Sequence, residues 1–276
     1  MLFKRHTAFK PQRPRPLPAN VDLKELFGTR HWHQRWELFD NVFTPGRNDV
    51  ASLCDAAGLP KDLRGLRILD VGAWHGCFSF ECERRGASEV IALCLESDGD
   101  TGFHQLAKAV DSKVVRCVNE SIYNLDRKKI GEFDMVLFFG VLYHLRYPLL
   151  AIDKIRTVCR STVLVETHVI DNFWMTSRTP NSSAKRLSKV SWELCETPIW
   201  RYYHNGELMG DASNYFGPNL RAVTEGFESA GFAIEVVKQW ADRATFRASV
   251  KSTLAHAMRH SYEMQAPANR AFLGID

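Results

Sequence analysis

The ten residues Arg67–Gly76 constrain the fold of this chain more than any other stretch. Apolar residues and Asp70 lead into the glycines Gly72 and Gly76, and an amphipathic segment follows directly. This order is typical of a buried strand that turns sharply and opens a helix. Glycine lets a ligand approach the backbone closely, so a nucleotide-like cofactor often binds at such a turn. The same glycines would also serve a tight turn without a ligand. Other parts of the sequence are needed to distinguish these two interpretations.

Length and composition predict a globular protein. The chain has 276 residues, 45% of them apolar, which suits one large domain or one domain with an appendage. No apolar run reaches the roughly 18 residues that span a bilayer, and the N-terminus has no stretch typical of a signal peptide. We therefore expect a cytoplasmic protein that binds no membrane. Its seven cysteines include no C-x-x-C pair, so neither a zinc site nor a redox motif is predicted.

The charge of the chain is mildly basic. A net charge of +4 permits nucleic-acid binding without requiring it. Part of the excess lies in residues 1–20, where five basic residues are interspersed with four prolines. This composition predicts a flexible, extended arm. We favour a solvated tail over an RNA-binding arm for this segment.

Strand and helix patterns alternate through a predicted domain of residues 61–250. The predicted strands are 66–72, 89–95, 113–118, 133–139 and 161–166, with helices at 76–85, 103–110 and 147–157. Repeated β-α units of this kind imply a parallel sheet that is covered on both faces. Helices at 21–28 and 48–57, the second capped by Asn48, make residues 21–60 an N-terminal helical cap.

The alternation breaks at residues 171–216, which are rich in tryptophan, tyrosine and phenylalanine. Long segments inside compact domains are often lids or binding elements, so we interpret this one as a substrate-binding insert. Regularity returns with a predicted helix at 219–230 and a closing pair of strands at 232–239 and 244–250. Residues 251–276 are expected to form a tail with one short helix.

A second motif follows the strand at 133–139, the run Gly140-Val141-Leu142-Tyr143-His144. With the glycine turn it resembles class I S-adenosylmethionine (SAM) methyltransferases. This run and Thr44-Pro45-Gly46 further resemble the bacterial tRNA wobble-uridine methyltransferases, which modify the 5-oxygen of that base, and Glu166-Thr167 and Gly231-Phe232 add to the match. The resemblance covers about residues 30 to 250. It implies an α/β, Rossmann-like sheet of seven strands with one antiparallel strand, and SAM lying across the strand ends.

The resemblance also implies which residues bind SAM and release S-adenosylhomocysteine (SAH). The cradle for the methionine end would consist of Asp70, Gly72, Ala73, Trp74 and Gly76. An acid at the end of the second strand would bind the ribose, but this chain has Cys94 there. We assign that role to Glu96, two residues on, with an exposed loop acid as the alternative. Ser121 and Ile122 would lie beside the adenine, and Gly140 beside the methyl group.

His144 is the preferred general base, and Tyr143 is expected to shape the pocket. Methyl transfer mainly requires an aligned acceptor, because the sulfonium leaving group is already activated. A base is needed only for a hydroxyl or a protonated amine, and histidine titrates near neutral pH. The alternative is a structural histidine that holds the following loop.

Further residues are candidates for binding the acceptor, namely His33, His168, Trp174, Trp200, Tyr203 and Arg243. The tryptophans would serve equally well as core residues. Arg243 would bind an anionic acceptor or pair with a local acid. Two histidines are poor evidence for a metal site, and none is predicted.

Three functions fit these observations. The first is a SAM-dependent methyltransferase that acts on an oxygen or nitrogen of a small-molecule or sugar-like acceptor, as a monomer or homodimer. The second is a tRNA wobble-uridine methyltransferase, and the third is a binding protein that keeps the fold without catalysis. The insert favours the first, while the cysteine at the ribose position motivates the third.

Overall fold

The computed structural model describes residues 9–175, 184–186 and 195–275. The chain divides into two compact units. The first consists of the described residues of Met1–Asp55 and Leu59–Asn119, and the second of those of Ala56–Gly58 and Glu120–Asp276.

The first unit begins with short elements and continues with β-α repeats. Its helices are α1 (Leu23–Phe27), α2 (Val50–Ala56, ending at the unit boundary), α3 (Cys77–Arg84), α4 (Asp98–Thr101) and α5 (Phe103–Val110). Its strands are β1 (Gln34–Arg35), β2 (Glu37–Phe39), β3 (Val42–Phe43), β4 (Asn48–Asp49), β5 (Arg67–Val71), β6 (Glu89–Cys94) and β7 (Val115–Asn119). β5 and β6 are almost wholly buried, as strands of a parallel sheet covered on both faces should be.

The second unit continues the β-α pattern. Its helices are α6 (Arg127–Ile130), α7 (Pro148–Val158), α8 (Leu220–Ser229), α9 (Leu254–Ala257) and α10 (Pro267–Leu273). Its strands are β8 (Phe133–Phe139), β9 (Cys159–His168), β10 (Phe173–Met175), β11 (Ala184–Arg186), β12 (Trp200–Tyr202), β13 (Phe216–Pro218), β14 (Phe232–Trp240) and β15 (Arg243–Val250). Proline at the first position of α7 and Asn219, which caps α8, begin these helices where the sequence favours it.

Seven strands of the described chain form the main sheet in the order β14-β15-β9-β8-β5-β6-β7. β15 runs antiparallel to both of its neighbours, whereas β5–β6, β6–β7 and β8–β9 pair in parallel. The predicted seven-stranded α/β sheet with one antiparallel strand is therefore confirmed. Among the described residues, every helix is too short or too polar to cross a membrane.

Some local predictions were wrong. Asn48 does not cap α2, because it pairs in β4, and the carboxylate of Asp49 instead accepts the backbone N–H of Ser52 at 2.8 Å. The segment 21–60 contains four short strands besides its two helices, and these strands pair as β1 with β4 and β2 with β3. The tail contains two helices, α9 and α10, rather than one.

Candidate functional site

The turn after β5 has an unusual backbone. Gly72, Trp74 and Gly76 all have positive φ angles, of 69°, 50° and 82°. The backbone N–H groups of Gly72 and Ala73 both donate to the carbonyl of Leu93, at 2.8 and 3.1 Å, which ties the turn to β6. A bulky residue at positive φ costs about 1–2 kcal/mol, so Trp74 is held there by its surroundings.

The two glycines of this turn have different roles in the structure. A Cβ on Gly76 would lie 2.5 Å from the ring of Phe103 and 2.8 Å from that of Phe80, so this glycine allows α3 to pack. Gly72 is exposed, which leaves its backbone open to a ligand. The prediction that both glycines contact the cofactor therefore has geometric support at Gly72 alone.

Two polar groups beside the turn are buried. Asp70 is 2% exposed and accepts a hydrogen bond from Ser79 Oγ at 2.6 Å, and burial raises the pKa of Asp70 to about 7. The indole N–H of Trp74 is buried and has no hydrogen-bond partner among the described residues. The ring of His33 meets the Trp74 ring edge-on at 5.1 Å. His33, predicted to bind the acceptor, thus lies beside a predicted cofactor residue.

The residues predicted to hold the nucleoside lie at the ends of β6 and β7. Cys94 is buried, and its Sγ lies 3.4 Å from Sγ of Cys117, so the thiol is directed along the sheet. Glu96 is half-buried and accepts the N–H of Leu95 at 3.1 Å, which keeps a carboxylate near the strand end.

In the second unit, Ser121 accepts the N–H of Tyr123, and Ile122 is buried, 5% exposed. Ser121 therefore caps the turn that follows, and Ile122 packs in the core of its unit. The predicted contacts of these two residues with adenine remain predictions.

Arg243 and Glu166 form a two-pronged ion pair in the second unit. Arg243 Nε and Nη2 donate to the two Glu166 carboxylate oxygens at 2.5 and 2.6 Å. The guanidinium also lies 4.8 Å from the ring centroid of Tyr143. Burial opposes the charged form of Arg243, but Glu166 outweighs burial and raises the pKa of the guanidinium. Of the two roles predicted for Arg243, the structure has the pairing with a local acid.

A second polar chain runs from Asp242 through His168 to Tyr203. His168 Nδ1 lies 3.2 Å from the Asp242 carboxylate, and its Nε2 lies 3.0 Å from the Tyr203 hydroxyl. A carboxylate only accepts, so Nδ1 of the neutral ring donates to Asp242 and Nε2 accepts from the phenol, and the hydrogen bond from His168 lowers the pKa of Asp242. Burial raises the pKa of Tyr203 to about 12. His168 and Tyr203 are 2% and 1% exposed, which places both in the core rather than on an open binding surface.

His144 is half-buried and is held by residues from the insert. Its Nδ1 lies 3.2 Å from the backbone carbonyl of Ser213 and 3.0 Å from Ser213 Oγ, and that hydroxyl donates to Asp211 at 2.7 Å. A carbonyl only accepts, and the hydroxyl proton is already committed to Asp211. Nδ1 of the neutral ring therefore carries the proton, and Nε2 is the basic nitrogen.

The positions of the other predicted residues say less about their roles. Trp200 is half-buried in β12 and meets the ring of Phe216 edge-on at 6.3 Å, which fits a packing role. Trp174 lies in β10, but its side chain is outside the described part of the chain. Gly140 has a φ of 73°, and a Cβ there would find its nearest neighbour, the Tyr143 hydroxyl, at 3.7 Å. A Cβ at this position would thus make ordinary van der Waals contact with Tyr143 and Glu166.

Sequence reasoning left several partners unassigned in the second unit. Glu166, Asp242, Ser213 and Asp211 hold Arg243, His168 and His144, and none was proposed for these roles. Glu166 and Arg243 lie on one face of the β9–β15 pair, because Arg243 lies opposite His168, two residues from Glu166. Only that strand register reveals the pair. Nowhere in the described part of the chain do three His, Cys, Asp or Glu side chains form a group that would hold a metal ion.

The sequence profile of a family described as a methyltransferase domain matches residues 46–237. The chain belongs to this methyltransferase family. The predicted class I methyltransferase and its enzymatic class are confirmed, against the alternative of a fold without catalysis.

One curated relative is the tRNA U34 carboxymethyltransferase of Dichelobacter nodosus, which is 25% identical over 180 residues. The match covers 63% of this chain and 48% of the relative, so the chain spans about half the length of the curated relative that it matches. The predicted resemblance to the tRNA wobble-uridine family is thereby confirmed as a resemblance.

Solved structures share the fold at low sequence identity. The N-terminal domain of EvdMO1, crystallised in the presence of SAH and D-fucose, is 19% identical with a TM-score of 0.54, covering 83% of this chain and 93% of that one. A SAM-dependent methyltransferase from Mesorhizobium loti is 15% identical with a TM-score of 0.55, covering 72% and 98%. Both likenesses concern the architecture of the sheet and its helices.

Proposed function

We propose that this methyltransferase transfers the methyl group of SAM to an oxygen or nitrogen of a small-molecule or sugar-like acceptor. One observation carries the nature of the acceptor atom, namely the fixed orientation of His144 by Ser213 and Asp211. A positioned base has a purpose when the acceptor carries a proton that must leave. Hydroxyl and protonated amine acceptors meet that condition.

The first unit offers groups that fit the amino-acid end of SAM. The exposed backbone of Gly72 permits close approach, and the carboxyl of Asp70 suits an ammonium group. The indole N–H of Trp74, which has no hydrogen-bond partner among the described residues, is a further donor at the same turn. Glu96 suits the ribose hydroxyls. One oxygen of its carboxylate accepts the Leu95 N–H, which leaves the second oxygen as an acceptor for a hydroxyl. SAM, when bound, supplies a methyl group on a sulfonium that is already a good leaving group.

The residues of the second unit then have distinct tasks. His144 Nε2 would accept the proton that the acceptor hydroxyl or ammonium loses. Asp211 and Ser213 keep Nδ1 protonated, so the basic nitrogen stays on one side of the ring. Glu166 compensates the charge of Arg243, and the pair positions Tyr143 below the guanidinium. The Tyr143 hydroxyl lies beside Gly140.

A tRNA wobble uridine is the second candidate acceptor. The curated tRNA U34 relative favours it, although the match extends over 48% of that relative. D-fucose is named for the EvdMO1 structure. Because the likeness of that structure to this chain concerns the fold alone, D-fucose serves only as one sugar to test.

The decisive experiment follows label from methyl-tritiated SAM into a metabolite extract, a panel of sugars including D-fucose, and bulk tRNA. We expect label in a small-molecule fraction, with SAH bound in parallel calorimetric titrations. Label confined to tRNA, together with a steep salt dependence of tRNA binding, would establish the second candidate instead. A protein that binds neither SAM nor SAH would refute both.

The role of His144 is tested with His144→Asn, whose amide N–H can still donate to Ser213 but which has no basic nitrogen. We expect SAH affinity within twofold of wild type and a methyl-transfer rate at least 100-fold lower. His256→Ala is the matched control, since His256 is an exposed histidine of α9 in the same unit. An unchanged rate for His144→Asn would exclude His144 as the base.

A further inference from the structure

Four tyrosines and one arginine form a partly exposed surface in the second unit, which we call the tyrosine platform: Tyr123, Arg146, Tyr147, Tyr202 and Tyr215. Tyr147 and Tyr202 are 60% and 46% exposed. Contiguous exposed aromatic surface is uncommon unless a ligand or partner covers it. The platform therefore needs a reason beyond packing.

The members of the platform are held in place by one another. The Arg146 guanidinium lies 5.4 Å from the ring of Tyr202 and 5.5 Å from that of Tyr215, and it donates to the Tyr202 hydroxyl at 3.0 Å. The rings of Tyr123 and Tyr147 meet edge-on at 5.8 Å, and the N–H of Tyr147 donates to the Tyr123 hydroxyl at 3.0 Å. These contacts preorganise the rings and so lower the entropy that binding would cost.

Arg146 brings one positive charge that nothing on the platform balances. It is exposed, and no carboxylate among the described residues forms an ion pair with it. Its fork carries five N–H donors, and one is used on Tyr202. The remaining donors match the two oxygens of a carboxylate or phosphate.

The platform is continuous with the candidate base. Arg146 and Tyr147 lie two and three residues after His144 in sequence, and the N–H of Tyr215 donates to the carbonyl of Tyr143 at 2.8 Å. Ser213, which orients His144, lies two residues before Tyr215. A molecule on the platform would thus lie beside the group that is proposed to accept its proton.

We propose that the tyrosine platform binds the acceptor, and that this acceptor is a small ring compound with one acidic group. The ring stacks on an exposed tyrosine, and the acidic group pairs with Arg146. A single uncompensated cation fits one acidic group, whereas a nucleic-acid backbone is usually followed by a row of cations. The inference rests on the proposed function, because it names the chemical class of the acceptor for the same site.

Calorimetric titrations with matched pairs of probes test this proposal. The pairs are uridine 5′-monophosphate and uridine, glucose 6-phosphate and glucose, and 4-hydroxybenzoate and phenol. We expect the acidic member of at least one pair to bind at least tenfold more tightly than its neutral partner. Arg146→Gln should abolish that preference, because it weakens binding of the acidic member more than binding of its neutral partner. Lys251→Gln is the matched control, because it removes an exposed cation outside the platform.

The outcomes separate this inference from the proposed function. SAH titrated into the same proteins reports cofactor binding and confirms that each variant is folded. No SAH binding to wild type would refute the proposed function. Normal SAH binding with no acidic preference in any pair, or with a preference that Arg146→Gln retains, would overturn the platform alone. Tighter binding of tRNA than of every small probe, lost in Arg146→Gln, would overturn the assignment to a small acceptor.

Discussion

Ser213 fixes the protonation state of one nitrogen of His144, although 69 residues separate them in sequence. Nδ1 of the imidazole faces both the carbonyl and the hydroxyl of Ser213, at 3.2 and 3.0 Å. The hydroxyl in turn donates to Asp211. The insert therefore contributes to the candidate catalytic group and not only to an acceptor pocket.

Ser213→Ala tests this relationship. The variant loses the hydroxyl but keeps the carbonyl, so we expect a modest effect, a kcat for methyl transfer about 2- to 13-fold lower, as the loss of one hydrogen bond of roughly 0.5–1.5 kcal/mol predicts. The affinity for SAH should not change. Ser161→Ala, at an exposed position of β9, is the control. A kcat equal to that of the control would mean that the hydroxyl does not orient His144.

We expect the Arg243–Glu166 pair to contribute more to the free energy of unfolding than two ordinary hydrogen bonds would. Arg243→Met leaves the nearly buried carboxylate of Glu166 without its partner, and we expect the free energy of unfolding to fall by about 3–5 kcal/mol. The double variant Arg243→Met/Glu166→Met removes both charges. Urea denaturation should therefore find its cost smaller than the sum of the single costs by at least ~1 kcal/mol. Additive costs would show that the two side chains do not interact.

Asp70 should make stability depend on pH in the direction opposite to most carboxylates. Burial raises its pKa to about 7 in the folded state, above its value of about 4 in an unfolded chain. The folded state then binds more protons than the unfolded state between those values, so its contribution to stability falls as pH rises from about 4 to about 7.

Asp70→Asn removes this titration. Thermal melts across pH 4–8 should show a smaller decline than in wild type, and the variant should be more stable by at least ~1 kcal/mol at pH 8. It should also bind SAM more weakly, because it removes the carboxylate that is proposed to pair with the ammonium group of SAM. Asp40→Asn, at an exposed position in the same unit, should reproduce the wild-type profile. A melting profile of Asp70→Asn that parallels wild type would contradict the burial argument.

Gly46 and Gly65 form a matched pair for testing close packing in the first unit. A Cβ on Gly46 would lie 2.2 Å from the backbone carbonyl oxygen of Gln34, whereas a Cβ on Gly65 would meet nothing within 4 Å. Gly46→Ala must therefore displace backbone, and we expect a loss of at least ~3 kcal/mol or failure to fold. Gly65→Ala should cost about 1 kcal/mol, from its positive φ alone. Equal costs in urea denaturation would refute the steric explanation.

The order of the core elements could be predicted from the sequence because the signals are local. Apolar runs predicted β5, β6 and β8 to within about two residues, and the alternation of strands and helices predicted the parallel sheet. Short elements such as β1–β4 escaped prediction, since strands of two or three residues leave no periodicity to detect. Their pairing depends on neighbours that the local pattern does not name.

The sequence identified several residues of the candidate site but not the roles that these residues have in the structure. Arg243 and His168 were singled out, yet their acids, Glu166 and Asp242, were not. Tyr203 carries the aromatic signature of a binding residue, but it is buried against His168. Composition alone cannot distinguish an aromatic ring that lines a pocket from one that fills a core.

The sequence by itself determined the class of fold, because hydrophobic periodicity and the glycine turn act over a few residues, and its motifs carried the resemblance to methyltransferases. Only the tertiary structure decided which acid neutralises Arg243, which nitrogen of His144 is basic, and that Gly76 serves packing. Each of these depends on side chains brought together from distant segments by strand register and by the course of the insert. Short-range patterns carry no information about such partners until the chain has folded.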